Sequence, residues 1–362
     1  MFCYDADMKS PVTLLDVAEA AQVSKSTVAN VFNHPDRVRP EVRARIEQVA
    51  RQLGFAGPDP RGRLLSNGKA NVIGVVPSGE GITWVFDNPY MRQFLAAVAE
   101  ECQARRTAIQ LIDGFGEAGA ETIRRTIVDG LILHTADQVL AVDPALRARM
   151  PIVVMDRIAD TDVSSVSIDD RGGAYALARH LLELGHRRFM VTTLGRSYVA
   201  PILHRATGAP RQLISTYDID EERLAGIGDA LAEAGLSLDD MPIVEACGSV
   251  EETRLYGAAA DLVLDELDGA TAVIALGGEL AIGLVGEAKR RGIAVPTELS
   301  IVGFDDPPEA ALTDPPLTVI AAPVAETARL ATRMLFSGGP PRHVELPVEL
   351  RVRSSTAPAP AG

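Results

Sequence analysis

Trp84, Phe86 and Tyr90 fall within one short stretch, SGEGITWVFDNPYMRQF (78–94), of a chain in which only 4% of residues are aromatic. An aromatic ring with a polar handle presents a flat apolar face, so such a stretch suits stacking on a sugar ring or another flat ligand. Asp87 and Asn88 beside the rings supply polar contacts. The same rings equally suit packing inside a folded lobe. Groups of catalytic type are scattered instead. No GxxxxGK[ST], HExxH or paired CxxC occurs, and Gly172-Gly173 lies outside a GxGxxG frame. His34, His134, His180, His186, His204 and His343 are spread along the chain, and His186, in LGHRRF ahead of a strand, reads as a hydrogen-bonding structural residue. No nucleophile, base and acid come together in this pattern, so the chain reads as non-enzymatic, with no cofactor and no metal.

The 362 residues exceed the usual size of one domain, which sets two or three units as the starting expectation. An apolar fraction of 47% is enough to bury a large core and excludes a mainly disordered or collagen-like chain. Cys3, Cys102 and Cys247 are too few and too far apart for a disulfide framework or a metal knuckle, which fits a reducing cytoplasm. The opening MFCYDADMKS has no apolar run of secretory type, and no stretch approaches the length of an uncharged membrane span. Charge is unevenly divided. Met8 to Lys69 carries ten Lys or Arg against six Asp or Glu, whereas the remainder carries 25 against 43. A basic head on an acidic body suits a polyanion-binding module joined to a soluble carrier.

The elements that must position these groups begin with short helices. Thr13 and Asp16 have capping-box spacing, and Leu14, Val17, Ala18 and Ala21 follow at helical intervals. Gln22-Val23 makes a tight break, Ser24 caps a second helix running to about Phe32, and Asn33, His34, Pro35 and Asp36 are turn residues. Pro40 suits the first turn of a third helix, whose apolar stripe is Val42, Ile46, Val49 and Leu53. Two short helices braced by a third describe a helix-turn-helix domain, and periodicity alone also allows a plain three-helix bundle. Ala18, Ala21, Val23, Val28 and Val31 are its candidate core. Gly54 to Lys69 then mixes Gly57, Pro58, Pro60, Gly62 and Gly68 with Arg61, Arg63 and Lys69, leaving too little apolar surface to fold alone.

From Asn71 the texture changes. VIGVV, AIQLI (108–112), GLILH (130–134) and PIVVMD (151–156) are continuous apolar strands separated by helical stretches, the pattern of parallel sheet covered on both faces. The rhythm restarts with HRRFMVTTL (186–194), PIVEA (242–246), TAVIAL (271–276) and LSIVGFDD (299–306), between helices near 171–184, 220–235, 252–266 and 278–291. Two α/β lobes are a better solution than one sheet of ten or more strands.

On these residues the chain resembles the lactose-repressor (LacI/GalR) family of bacterial helix-turn-helix transcriptional regulators. The resemblance is carried by VTLLDVAEAAQVSKSTVANVFNHPDRVRPEVRARIEQVARQLGF (12–55), LLSNGKANVIGVV (64–76), VSIDDRGGAYALARHLLELGHRRF (166–189), ERLAGIGDAL (222–231) and VPTELSIVGFDD with DPPLTVI (295–320). It implies a small all-α helix-turn-helix head followed by an α/β two-lobe body like the periplasmic binding proteins. The implied divisions are an N-terminal extension (1–11), the DNA-binding domain (12–57), a hinge or linker (58–70), an effector-binding and dimerisation domain (71–354) and a disordered tail (355–362). Lobe 1 would take 71–167 plus 299–321 and lobe 2 would take 168–298 plus 322–354, with crossovers near Ser167, near Glu298 and at Ile320 to Pro323.

The resemblance also implies roles. The second helix would lie in the major groove with Lys25, Ser26 and Asn30 at the base edges, where Lys suits guanine O6/N7 and Asn pairs bidentately with adenine. Asn30 follows Ala29 where relatives more often have Ser-Arg, so the preferred half-site should depart from the common one. Thr27, Asn33, Arg37, Arg39 and Arg43 would hold phosphates or position the head. In the hinge, Leu64 would wedge into the minor groove while Arg61 and Arg63 neutralise nearby phosphates, or it would pack within a linker. Around the effector would stand Trp84, Phe86, Asp87, Tyr90, Asp156, Arg223, Gly277, Asp305 and Asp306, the last two competing with a role as strand-end turn. Gly277-Gly278 replaces the family's Asn-Asp, leaving room for a larger ligand or a role for Glu279. The expected partners are double-stranded operator DNA, a sugar or related effector and a second copy of the chain, with no membrane. A soluble small-molecule receptor of the same cleft fold without a regulatory role is the alternative.

Overall fold

The computed structural model describes residues 12–58, 68–77, 82–114, 116–134, 144–155, 162–195, 200–213, 218–247 and 256–360. The chain divides into two compact units, Met1–Ala70 and Asn71–Gly362.

The first unit is built from α1 (Leu14–Ala20), α2 (Lys25–Asn33) and α3 (Pro40–Leu53). Its helix ends follow from single side chains. Thr13 and Asp16 close a full capping box, in which the Thr13 amide donates to the Asp16 carboxylate at 2.7 Å. Gln22 takes the left-handed backbone (φ 53°) that turns the chain between α1 and α2, and Ser24 Oγ accepts the Thr27 amide at 3.1 Å. Gly54, at φ 72°, ends α3. Val17, Ala18 and Ala21 meet Val28 and Val31 of α2 and Ile46 and Ala50 of α3 in one buried cluster, against which Val23 packs. Small residues on α1 let three short helices approach closely enough to exclude water.

The second unit opens with β1 (Val72–Val76), β2 (Ala108–Leu111), β3 (Leu131–His134), β4 (Ile152–Met155) and β5 (Ser164–Ile168). It continues with β6 (Phe189–Gly195), β7 (Ile202–His204), β8 (Ile243–Cys247), β9 (Ala272–Ala275), β10 (Ser300–Phe304) and β11 (Thr318–Ala321). Two edge strands, β12 (His343–Leu346) and β13 (Glu349–Arg351), follow. One sheet has the order β12-β5-β4-β3-β1-β2 and the other β13-β11-β10-β9-β6-β8-β7. Helices cover both faces of each sheet, as continuous apolar strands require. In lobe 1, Pro89–Ala104 and Val324–Ser337 lie on one side, with Ile123 and Leu146 of two further helices on the other. In lobe 2, Gly257–Asp265 and Gly278–Arg291 face Asp170–Glu183 and Asp218–Glu233 across the sheet.

This topology corrects the lobe division. Residues 299–321 belong to lobe 2, because β10 pairs with β9 (Ser300 with Ala272 through Gly303 with Ala275) and β11 pairs with β10. Residues 322–346 belong to lobe 1, where the helix Val324–Ser337 packs on the sheet and β12 pairs with β5. The chain therefore passes between lobes after β5, after β11 and between β12 and β13, and not near Glu298. A continuous apolar strand carries no mark of which sheet it joins, and that is why the sequence pattern misassigned it.

The tail is a second correction. Residues 355–360 are not disordered but are fastened to lobe 2. Ser355 is fully buried; its Oγ accepts the Thr318 amide at 2.8 Å and donates to the Ile301 carbonyl at 2.6 Å. The Ala357 carbonyl accepts from His186 Nε2 at 3.0 Å, and the Ala359 amide donates to the Leu184 carbonyl at 2.8 Å. A Pro- and Ala-rich segment forms no regular element, yet its backbone groups find partners one by one. Ser355→Ala should cost about 1–3 kcal/mol by stranding a buried amide and carbonyl. The expected readout is a melting midpoint of the body several degrees lower; an unchanged midpoint would show that the tail contributes nothing to lobe 2.

Candidate functional site

Two surfaces carry the candidate chemistry, one on each unit. On the head, Lys25, Ser26 and Asn30 are exposed on α2, and Ser26 and Asn30 stand one turn apart on a common face. The Ser24 cap organises the start of this helix: its Oγ lies 2.8 Å from both Ser26 Oγ and Thr27 Oγ1. Thr27 and Asn33 are half-buried, and the side-chain Oδ1 of Asn33 is buried without a partner. Arg37, Arg39 and Arg43 are exposed, but Arg43 already binds Glu47 at 2.7 Å. Leu64, Arg61 and Arg63 lie outside the described residues.

On the body, the carboxyl ends of parallel strands from both lobes converge, the place where open α/β sheets bind ligands. Arg223 is its centre. The guanidinium, 4% exposed, donates from Nε to Asp170 Oδ1 at 2.7 Å and from Nη1 to the Leu276 carbonyl at 2.6 Å. It lies 3.7 Å over the Phe304 ring. Burial works against its charge, but Asp170, Asp305 and Asp220 outweigh it and hold Arg223 firmly protonated. Asp170 occupies the first turn of a helix capped by Asp169, whose Oδ1 accepts the Gly172 amide at 2.8 Å. Asp305 follows β10 in left-handed backbone (φ 66°), unusual for a residue with a side chain, and leaves Oδ1 without a partner. Burial pushes its carboxyl up to about 6, against the pull of Arg223.

Glu279 joins the two lobes. It sits in the first turn of the lobe 2 helix Gly278–Arg291, where its own amide, the Tyr90 amide and the Asn88 side chain at the start of the lobe 1 helix Pro89–Ala104 favour its ionised form. The amides of a helix's first turn have no partner within the helix, so a carboxylate from outside is a natural one. Burial, and then the charge of Asp305, push Glu279 up to about 7. On the lobe 1 side, Tyr90 and Phe94 each meet the ring of buried His134 edge-on, with centroids 5.3 Å apart. Burial lowers His134 to about 4, so it is a neutral imidazole. At the rim, Arg92 and Glu309 form an exposed interlobe ion pair of 2.7 Å.

Of the residues named from sequence, Arg223 and Asp305 are brought together and Tyr90 lies at the lobe junction. Three are not part of the cluster. Phe86 is 62% exposed, so no aromatic trio forms around it. Asp306 points to the surface of lobe 2, where Arg351 and Arg353 each hold it at 2.8 Å and keep its carboxyl low against its burial. At Gly277 the room left by the missing side chain is taken up by Leu194, which a Cβ would meet at 3.1 Å; at the neighbouring Gly278 a Cβ would meet Pro307 and the Phe304 carbonyl. The side chains of Trp84 and Asp87, and the whole of Asp156, lie outside the described residues. Sequence reasoning missed Asp170, Asp220 and His134 as members of the site. A carboxylate three residues before Arg223 on one helix was a usable signal for Asp220, whereas Asp170 reaches Arg223 only through the fold. Among the described residues, no group of three or more His, Cys, Asp or Glu is placed to hold a metal, and no helix is long and apolar enough to cross a membrane.

Comparison with known proteins matches both units. Residues 13–57 fit the model described as bacterial regulatory proteins, lacI family, and residues 178–356 fit a periplasmic binding protein-like domain. An HTH-type transcriptional regulator of Mycobacterium tuberculosis is 33% identical, covering 96% of this chain and 98% of its own. A transcriptional regulator CelR in complex with cellobiose is 25% identical with a TM-score of 0.62, over 95% of this chain and 99% of its own. The lac repressor dimer bound to operator shares the fold with a TM-score of 0.74 at 22% identity, over 96% of this chain and all of its own.

The raised carboxyls give the body a pH signature. Glu279 and Asp305 bind protons more tightly folded than unfolded, so their contribution to stability is full below the ordinary carboxylate range. It is lost as pH rises through about 6 and about 7. His134 has the opposite sign, contributing above its ordinary value and losing that contribution as pH falls towards about 4. Between pH 6.5 and 8 the histidines His134, His180 and His186, all held below their ordinary value by burial, oppose the carboxyl pair as their unfolded forms lose protons, so the carboxyl contribution is read as a difference between two proteins. The thermal midpoint of Glu279→Gln should gain on that of the parent as pH rises through about 7. Parallel pH profiles for the two proteins would overturn the attribution to Glu279.

Proposed function

The chain belongs to the lacI family of bacterial regulatory proteins, and from that membership we propose that its head reads operator DNA while its body senses a small molecule. It is a helix-turn-helix transcriptional regulator. The observation that carries the reading is α2: a capped helix, rigidly backed by α1 and α3, that turns Lys25, Ser26 and Asn30 outward. Those three would read bases, with Thr27, Asn33, Arg37, Arg39 and Arg43 positioning the helix on phosphates. Leu64 with Arg61 and Arg63 would contact the minor groove from the hinge. Two copies of the chain would face the two halves of a near-palindromic operator, since a two-fold protein requires a two-fold site. Repression by occupying the operator is the expected outcome, and the protein would act in the cytoplasm as a regulator and not as an enzyme.

The body is the sensor. Arg223, Asp305 and Glu279 lie where strand ends of both lobes meet, and the CelR relative is solved with cellobiose, so a sugar or related polyol is the proposed effector. Its binding would change the contacts between lobes, among them the approach of Asn88 and Tyr90 to Glu279, and so shift the population that holds DNA.

Selection of bound fragments from a genomic library at about 0.15 M salt should return one near-palindrome. Lys25→Ala and Asn30→Ala should change base preference at defined positions, at about 1–3 kcal/mol each for the lost pairing. Arg37→Ala should weaken all sequences alike and lower the salt slope by about one. Equal losses across sequences for all three variants would overturn the choice of readers, and a featureless fragment pool from a folded protein would count against operator recognition itself.

A further inference from the structure

Glu279 is 4% exposed and Asp305 8% exposed, and each keeps one carboxylate oxygen, Oε1 and Oδ1, away from both water and any protein donor. Leaving a buried acceptor unpaired costs about 1–3 kcal/mol, more when it is charged. These two atoms belong to carboxylates close enough for the charge of one to act on the other, at the end of β10 and the start of the helix Gly278–Arg291, and such a pair marks a place where donors arrive from outside the chain.

The charges in reach say what kind of donor. Asp305 faces Glu279 from β10, with Asp170 and Asp220 behind it, and the single cation among them is Arg223. That guanidinium is committed through Nε to Asp170 and through Nη1 to the Leu276 carbonyl. Among the described residues, the lobe 1 groups that act on Glu279 are uncharged, the Asn88 amide and the Tyr90 backbone, with neutral His134 beyond Tyr90. Arg92 of lobe 1 pairs with Glu309 at the rim. Four carboxylates thus share one paired guanidinium. A neutral hydroxyl offers a donor but leaves the repulsion between Glu279 and Asp305 in place, whereas a cationic nitrogen offers donors and removes that repulsion.

We infer that the effector is an aminated polyol, a sugar-like molecule bearing a primary ammonium that bridges Glu279 Oε1 and Asp305 Oδ1. The inference rests on the effector-cleft reading of this site. Without ligand Glu279, held near 7, is partly protonated in the neutral range, whereas Asp305, near 6, is mostly ionised. Docking an ammonium requires their ionised forms, so binding releases a proton from the pair and strengthens as pH rises towards the amine's own range.

The test is titration calorimetry of the full chain with matched pairs: glucose and glucosamine, galactose and galactosamine, mannose and mannosamine, each at pH 6 and pH 7.5. For at least one pair the amine should bind about tenfold or more tightly at pH 7.5, with a smaller ratio at pH 6. Glu279→Gln should bring the ratio of amine to neutral-sugar affinity down to about one, and Asp305→Asn should reduce that ratio, so the outcome does not hang on one variant folding. Neutral sugars binding as well as or better than their amines would overturn the inference and leave the effector cleft standing. An amine preference that survives in both variants would overturn the assigned residues. Binding by neither class would overturn both the inference and the cleft reading.

Discussion

The body is organised around a guanidinium kept out of water. A buried cation is tolerated only where fixed partners replace its hydration, and removing any one of them strands a charge. For Arg223 those partners come from different elements: Asp170 from the first helix of lobe 2, the Leu276 carbonyl from the end of β9 and the Phe304 ring from the end of β10. Satisfying them fixes the helix Asp218–Glu233 against Asp170–Glu183, and Gly226 makes that contact close enough. A Cβ there would lie 2.1 Å from the Arg171 carbonyl. The strained Asp305 backbone belongs to the same arrangement, because it turns a carboxylate towards the cation at the point where the strand ends.

The two lobes are held together by contacts of very different worth. The Arg92–Glu309 pair at the rim has both side chains more than two-fifths exposed, and ion pairs of that kind contribute little. Glu279 is buried, and it lies near enough to Asn88 and the Tyr90 amide for them to favour its ionised form, which brings together the first turns of two helices from opposite lobes. A movement that separates the lobes exposes a carboxyl that burial holds up to about 7, and favours its ionisation. Opening is therefore coupled to proton loss at a residue on the lobe junction. Any ligand that bonds this carboxylate in only one arrangement of the lobes biases the equilibrium by its difference in affinity and by no more.

How much of this was legible depends on whether the signal is local. The starts of α1 and α2 are set by side chains within three residues, Thr13 with Asp16 and Ser24 with Thr27, and α3 ends at the left-handed Gly54, all open to reading from the chain. The strands of the body were equally plain as apolar runs. Which lobe received 299–321 and 322–346 was not, because that choice depends on pairing partners far away in the chain. The site divides the same way. Arg223 stood out through its surrounding motif, but whether Asp305 or Asp306 faced inward turned on one left-handed residue and on Arg351 and Arg353 some 45 positions later. Gly277 suggested open space by its missing side chain, and Leu194 from another strand fills it.

Helix starts recur at both candidate surfaces, and in the head they constrain which groups are free to read a base. Ser24 Oγ accepts the Thr27 amide and lies within hydrogen-bonding distance of the hydroxyls of Ser26 and Thr27. Ser24 has one proton to donate and two lone pairs. With one lone pair taken by the amide, it accepts from one hydroxyl and donates to the other. One of Ser26 and Thr27 thus has its proton committed to the cap, and if that is Ser26, contact with a donor-seeking base edge requires breaking a 2.8 Å bond. Asn30 is exposed one turn further along, beyond this network, and offers both a donor and an acceptor in a fixed plane. Lys25 is exposed and charged and has no competing role in the cap. Discrimination between operators should therefore rest mainly on Lys25 and Asn30, with Ser26 tuning the helix start that aims them.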